Sequence, residues 1–263
     1  MFIEKAFHNG ASGPLTDREL QELLCVFDYP VAIDGSRGPA TDFALTTLKA
    51  DLVPGASPDA AVDEPTRVFL MKPFAVAEAF VEGASDAQSF SDLVRDTGVR
   101  YWREIKPKEI GGNNRGPWVR FFSDGAEGDG TSWCANFSAR TVVTQAEVIW
   151  ADRMMRPLAY PRGAFRAGWC PAIEQAARAN HRLVTSEDVV AGGATIHAGM
   201  LFLVRGPDRV NHVGIVAEVG PDLKSFLSVE GNAPDLLMGQ GVDYVTRRFR
   251  NCRSSAYYFV DLG

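Results

Sequence analysis

The sequence predicts an α+β protein in which helices come first and a mainly antiparallel sheet follows. Apolar residues recur at helical spacing through the first part of the chain. Leu20, Leu23, Leu24 and Phe27 fall at i, i+3, i+4 and i+7 and share one helical face. The last third changes to short runs rich in β-branched and aromatic residues, such as 200–204 and 225–230, separated by Gly206-Pro207-Asp208 and Gly220-Pro221-Asp222. Runs of that length between turn residues read as strands. The composition, 263 residues with 46% hydrophobic and 23% charged, is that of a globular chain with one or two cores.

Each element follows from local chemistry. Thr16 or Asp17 can cap the first helix, with Glu19 and Glu22 in its early turns, where acids complement the helix dipole. That helix ends before Tyr29-Pro30, because the residue preceding proline avoids helical backbone. Ile33-Asp34-Gly35-Ser36-Arg37-Gly38-Pro39 reads as a tight turn and a helix start, and Phe43, Ala44, Leu45 and Leu48 supply the next apolar face. A Pro/Gly/Ala/Asp loop follows Leu52, and the segment Thr66–Met71 closes this part ahead of Pro73. The weakest-structured point is Gly83-Ala84-Ser85-Asp86, so we divide the chain into residues 1–75, a linker at 76–88 and a larger domain at 89–263.

In the larger domain, helical periodicity runs from Phe90 to Trp102. Two glycine-rich loops, 111–117 and 123–130, then lead to Cys134. From there to Met155 the residues Phe137, Val142, Val143, Ala146, Ile149 and Trp150 form a helical stripe. Residues 171–180 suggest one more helix. Strands are expected at 200–204, 212–219, 225–230 and 256–260.

Composition narrows the function. The net charge of −6 disfavours phosphate-driven nucleic-acid binding, which needs a basic face. The four cysteines and four histidines show no CxxC or other close ligand spacing, so no zinc site is expected. The loop Asp124–Gly130 lacks the alternation of an EF-hand, and no cofactor or metal is expected. No apolar run approaches the ~18 residues of a membrane span, so no membrane insertion is expected. The N-terminus lacks a signal-peptide layout.

The candidate chemistry centres on Cys134. It follows a glycine-rich acidic loop and opens a helix, with Thr131 or Ser132 as the expected cap. The positive end of the helix dipole favours thiolate over thiol. His212 stands at the mouth of a strand and can serve as general base. Glu230 and Asn232 end the next strand, which a hairpin brings back beside His212, and either could fix the imidazole tautomer. Cys25, Cys170 and Cys252 read as buried thiols.

Four segments in this order resemble the CHAP and NlpC-type papain-like hydrolases of bacterial cell walls: Glu109-Ile110-Gly111-Gly112-Asn113, Trp133-Cys134-Ala135-Asn136-Phe137, Asn211-His212-Val213-Gly214-Ile215-Val216 and Val229-Glu230-Gly231-Asn232. The resemblance implies a papain-like catalytic domain with Cys134 as nucleophile, His212 as base and Glu230 or Asn232 as orienting group. Where that family often has Pro-Gly-Asp before its first core strand, this chain has Ala198-Gly199-Met200. Trp133, Trp118 and Asn114 would line the substrate groove. Arg247, Arg248, Arg250 and Arg253 read as a solvated strand face or as a contact for an acidic stem peptide.

Residues 15–74 resemble the small three-helix peptidoglycan-binding module, on Leu20-Gln21 with Leu23-Leu24, Asp34-Gly35-Ser36-Arg37-Gly38-Pro39-Ala40-Thr41 and Ala44-Leu45 with Leu48. That family usually has a Gln near Lys49, which this chain lacks.

Together the resemblances imply a peptidoglycan amidase or endopeptidase, made in the cytoplasm and acting at the wall after holin-type release as an endolysin, or after injection as an antibacterial effector. Its partner would be peptidoglycan. For an effector, a delivery machine and an immunity protein in the producing cell would be expected. The alternative is a non-catalytic wall anchor in a phage tail or injection machine.

Overall fold

A computed structural model describes residues 2–79, 88–154, 156–234, 242–253 and 256–263. The chain divides into two compact units, Met1–Ala79 with Lys108–Thr131, and Phe80–Pro107 with Ser132–Gly263. The first crossing falls within the expected linker, whose residues 80–87, including the Gly83–Asp86 segment, lie outside the described residues. Residues 108–131, expected in the larger domain, group with the first unit. The reason is aromatic burial. Helix α6 (Pro117–Phe122) inserts Trp118, Phe121 and Phe122 into that unit's core, with Trp118 stacked on Phe74 at 4.2 Å between ring centroids.

Besides α6, the first unit holds α1 (Ile3–Ala6), α2 (Asp17–Val26), α3 (Pro39–Leu52) and α4 (Glu64–Glu78). Thr16 caps α2 in a reciprocal capping box with Glu19, satisfying two backbone donors that the helix start leaves open. Gln21 fixes the following turn. Its carbonyl accepts from the Asp34 and Gly35 backbone N–H at 3.1 and 2.9 Å, and its amide donates to Asp34 Oδ1 at 2.8 Å. Pro39 then starts α3 at its first turn, where a missing N–H costs nothing. Helix α4 runs through Pro73 rather than stopping short of it. Lys49 is buried, and its ammonium donates to the Asp59 and Ala61 carbonyls at 2.9 and 2.7 Å, so here it clasps a loop.

The second unit carries α5 (Phe90–Arg100) with a π-helical continuation at Tyr101–Ile105, a long helix opening at Cys134, α8 (Cys170–Ala179) and α9 (Ser186–Ala191). The long helix passes through a π-helical stretch at Asn136–Val143, α7 (Thr144–Ile149) and a second π-helical turn at Trp150–Met154. Six strands form one antiparallel sheet: β1 (Leu183–Thr185), β2 (Leu201–Arg205), β3 (Val210–Val219), β4 (Ser225–Pro234), β5 (Asp243–Asn251) and β6 (Tyr257–Val260). Their order is β1-β6-β2-β3-β4-β5. The four expected strands are present, and β1 and β5 are additions.

Residues 213–217 of β3 are all buried, as expected for a strand covered on both faces. One face packs a cluster of Phe202, Val216, Phe226, Tyr257 and Phe259 with Val189 of α9. On β3, α5 approaches so closely that a Cβ on Gly98 would lie 2.7 Å from Ile215 Cδ1. The Ala198-Gly199-Met200 turn keeps its glycine at φ 88°, and a Cβ there would meet the Ser91 backbone.

Candidate active site

Cys134 occupies the first position of its helix. The first intrahelical bond runs from Phe137 N–H to the Trp133 carbonyl at 2.8 Å, so Trp133 is the cap, not Thr131 or Ser132. At this position the Cys134 backbone N–H has no acceptor within the helix. The Ser132 hydroxyl instead lies 3.6 Å from Cys134 Sγ. It accepts from Asn232 Nδ2 at 3.1 Å, which directs its own proton toward the thiol sulfur.

His212, on β3, lies beside the Cys134 thiol, near enough for each to shift the other's titration. Its Nε2 lies 2.8 Å from Glu230 Oε2 on β4, so Nδ1 is the ring nitrogen that this contact does not occupy. Glu230 is fully buried. Arg250 on β5 donates from Nε to Oε1 and from Nη2 to Oε2, both at 2.6 Å, and Ser228 Oγ also donates to Oε1. A buried carboxylate persists only when its charge is paired and its lone pairs are filled. Here His212, Arg250 and Ser228 fill them. The Arg250 guanidinium in turn lies 4.9 Å from the Phe202 ring centroid, a cation–π arrangement.

The sheet makes room for these contacts. Gly214 faces Phe202 across β2. A Cβ at 214 would lie 2.6 Å from the Phe202 ring and 2.8 Å from Glu230 Cγ, so the bare glycine is what allows the glutamate to pass. The β4–β5 register slips between Glu230 and Ala233, and Asn232 within the slip has φ 55°. Bulges of this kind re-aim side chains beside active sites. This one turns Asn232 to Ser132 rather than to His212. A Cβ on Gly231 would lie 2.8 Å from both Phe137 Cβ and the Trp133 ring, so the strand meets the helix that opens at Cys134 there without a side chain between them.

The charges support one another. Burial alone would push the Glu230 carboxyl up, but the hydrogen bonds and charges of Arg250 and His212 hold it down at about 2. Burial would pull the His212 imidazole down, but the thiol sulfur and Glu230 raise it to about 9. The Cys134 thiol sits well below the ordinary thiol value. The Cys170 thiol donates to it, burial opposes, and His212 and Ser132 add to the lowering. At neutral pH the geometry therefore favours a thiolate–imidazolium pair held by an ionised glutamate.

Cys134, His212, Glu230 and Asn232 thus come together, His212 bonded to Glu230 and Asn232 bonded to the Ser132 hydroxyl beside the thiol. Trp118 is buried in the first unit's core, and Trp133 is buried against the strand at Gly231. Asn114 lies in the first unit at φ 52°, with its Oδ1 buried and unpartnered. The basic cluster also resolves differently from a solvated face. Arg250 turns inward to Glu230, Arg247 stands over the Trp102 ring at 4.3 Å, and Arg248 donates to the Pro234 carbonyl at 2.6 Å.

Two further residues support the site, and the sequence pattern points elsewhere for both. Arg250 is one. Cys170 is the other, its Sγ 3.8 Å from Cys134 Sγ. Among the described residues no group of three or more His, Cys, Asp and Glu side chains could hold a metal ion. No described helix is long and apolar enough to cross a membrane. Compared with known protein families, curated proteins and solved structures, the chain matches none.

Proposed function

We propose that the chain is a cysteine-dependent peptidoglycan hydrolase, with a papain-like catalytic unit of CHAP type and a helical unit that binds the wall. The observation carrying the reading is Cys134 at the start of a helix with His212 beside it, the imidazole fixed at 2.8 Å by the fully buried Glu230 carboxylate. A nucleophile, a base that meets it and a group that orients the base are the parts acyl transfer requires. The resemblance of four segments to wall hydrolases, and of the Asp34-Gly35…Gly38-Pro39 turn to a peptidoglycan-binding module, supports a cell-wall substrate.

In this mechanism the Cys134 thiolate attacks the carbonyl carbon of a wall amide. The backbone N–H of Cys134 donates to the oxyanion that forms. The His212 imidazolium gives its proton to the leaving amine as the C–N bond breaks. His212, now neutral, takes a proton from water, which attacks the thioester and releases the acid, and the thiolate–imidazolium pair returns. Glu230 holds the tautomer throughout, and its charge favours the protonated ring. The bond cut is either the amide joining the glycan to L-alanine or one within the peptide. Delivery is by lysis-type release or by injection, with an immunity partner in the second case.

Incubation of purified sacculi with the chain and with Cys134→Ala, followed by mass spectrometry of released fragments, tests this. Fragments that depend on Cys134 are expected, and free stem peptide beside intact glycan would mark an amidase. If wild type releases nothing while both proteins sediment with sacculi, the chain is a wall anchor and the enzyme reading fails.

A further inference from the structure

We propose that Cys134 and Cys170 close a reversible disulfide that takes the nucleophile out of action and shields it from irreversible oxidation. This rests on the reading of Cys134 as the nucleophile and adds a regulation of that site.

The two sulfurs are 3.8 Å apart although the residues are 36 apart in sequence. Both side chains are buried, Cys134 at 2% and Cys170 at 6% exposure. Both residues open helices directly after a tryptophan, Trp133-Cys134 and Trp169-Cys170, the second ahead of Pro171 in α8. Two helix starts therefore converge on one pair of sulfurs. Each would favour a thiolate, but two anions at this distance in a buried site repel strongly. One ionises and the other stays protonated. His212 selects Cys134 for the charge, and Cys170 keeps its proton and donates it to the thiolate.

That is the arrangement of an attacking and a resolving cysteine. A disulfide needs the sulfurs at about 2.05 Å, so they must close by roughly 1.8 Å. The oxidant is a small hydroperoxide, since both thiols are buried.

The Cys134 thiolate attacks one peroxide oxygen. The O–O bond breaks, and Cys134 sulfenic acid and hydroxide form. Cys170 gives its proton to the hydroxide, and its sulfur attacks the sulfenic sulfur. The S–O bond breaks, the departing hydroxide takes the proton that His212 holds as imidazolium, and the disulfide is left. The net change is two thiols and hydrogen peroxide to one disulfide and two waters. A dithiol reverses it by exchange. Without Cys170, the sulfenic acid would go on to sulfinic and sulfonic acids, which a dithiol does not reduce.

The test exposes the full chain to hydrogen peroxide, digests it without reduction and maps the cysteines by mass spectrometry, with sacculus hydrolysis followed in parallel. A Cys134–Cys170 crosslinked peptide is expected, with hydrolysis lost on oxidation and restored by dithiothreitol. The Cys25→Ser/Cys252→Ser double variant should form the same crosslink. In Cys170→Ser and Cys170→Ala, peroxide should leave Cys134 as sulfinic or sulfonic acid that dithiothreitol does not recover. Oxidised Cys134 without the crosslink in the wild-type chain, or a crosslink of Cys134 to Cys25 or Cys252, overturns the proposal. Because the map needs no turnover, the two readings separate. The crosslink without any hydrolysis by the reduced chain would sink the hydrolase and leave the pair. Hydrolysis without the crosslink would do the reverse.

Discussion

Arg250 grips Glu230 with two hydrogen bonds of 2.6 Å, one to each carboxylate oxygen, and one of those oxygens also holds His212 at 2.8 Å. The orientation of the imidazole therefore depends on an arginine that does not touch it. Planar, two-point gripping is what a guanidinium does and an ammonium does not. Arg250→Met would leave a buried carboxylate without its main counter-charge. We expect a loss of stability of about 3–5 kcal/mol, read by urea unfolding. Glu230→Gln keeps the shape but removes the charge that favours imidazolium. It should keep the fold and lower kcat by about a hundredfold or more. Unchanged turnover in a folded Glu230→Gln protein would remove Glu230 from the mechanism.

The thiolate–imidazolium pair has a pH signature. The Cys134 thiol sits below its ordinary value, so alkylation by iodoacetamide should already be fast at pH 6, where an ordinary thiol is almost wholly protonated. His212 is raised to about 9, so hydrolysis should fall on the alkaline side as the ring loses its proton near that pH. Removing the Glu230 charge takes away one cause of the raised value, and Glu230→Gln should move the alkaline limb downward. A rate that climbs through the ordinary thiol range, unaffected by His212→Ala, would mean that no ion pair forms.

The same shifts give stability a dependence on pH. His212 is raised on folding, so its contribution is full below its unfolded value and is lost as the pH rises through about 9. Glu230 is depressed, so its contribution is present above its unfolded value and is lost as the pH falls toward about 2. The Cys134 thiol is lowered, so its contribution grows as the pH rises toward its unfolded value and offsets the alkaline loss of His212. Thermal unfolding followed from pH 3 to pH 10 should show the acid loss, and the alkaline loss should emerge in Cys134→Ala.

Gly214 is the space that Glu230 crosses. With a Cβ 2.8 Å from Glu230 Cγ and 2.6 Å from the Phe202 ring, Gly214→Ala forces one of them to move. Overpacking of this kind costs about 1–3 kcal/mol, and hydrolysis should fall further than stability alone explains. A Gly214→Ala protein with wild-type turnover would show that the carboxylate reaches His212 by another path.

Local chemistry made much of this fold legible. The capping box at Thr16 and Glu19, the Pro39 helix start and the strands around 201–205 and 225–234 follow from a few neighbouring residues each. Cys134, His212 and Glu230 stood out because a helix start, a strand mouth and the next strand's end are all visible in sequence. Strand β5 was less so, because its run Arg247-Arg248-Phe249-Arg250 puts charge where a strand pattern expects apolar residues. Arg250 is inside only because Glu230 is there to meet it, a pairing across strands that no local window contains. Residues 108–131 mislead for a similar reason, since Trp118 and Phe121 look the same whichever core receives them. Cys170 did leave a signal: a second Trp-Cys pair at a helix start.

Asn232 and Glu230 are only two residues apart, yet the bulge sends them to different partners. Asn232 donates to Ser132 Oγ at 3.1 Å, and Ser132 Oγ lies 3.6 Å from Cys134 Sγ. Asn232 should therefore act on the thiol and Glu230 on the imidazole. Asn232→Gly keeps the left-handed backbone at φ 55° at little steric cost and removes only the amide. We expect Asn232→Gly and Ser132→Ala each to raise the pH at which Cys134 begins to react with iodoacetamide, since each weakens a donor to the thiolate. Neither should move the alkaline limb of hydrolysis, which belongs to His212 and Glu230. An alkaline limb that shifts in Asn232→Gly and stays in Glu230→Gln would reverse the two assignments and make the amide the group that orients the base.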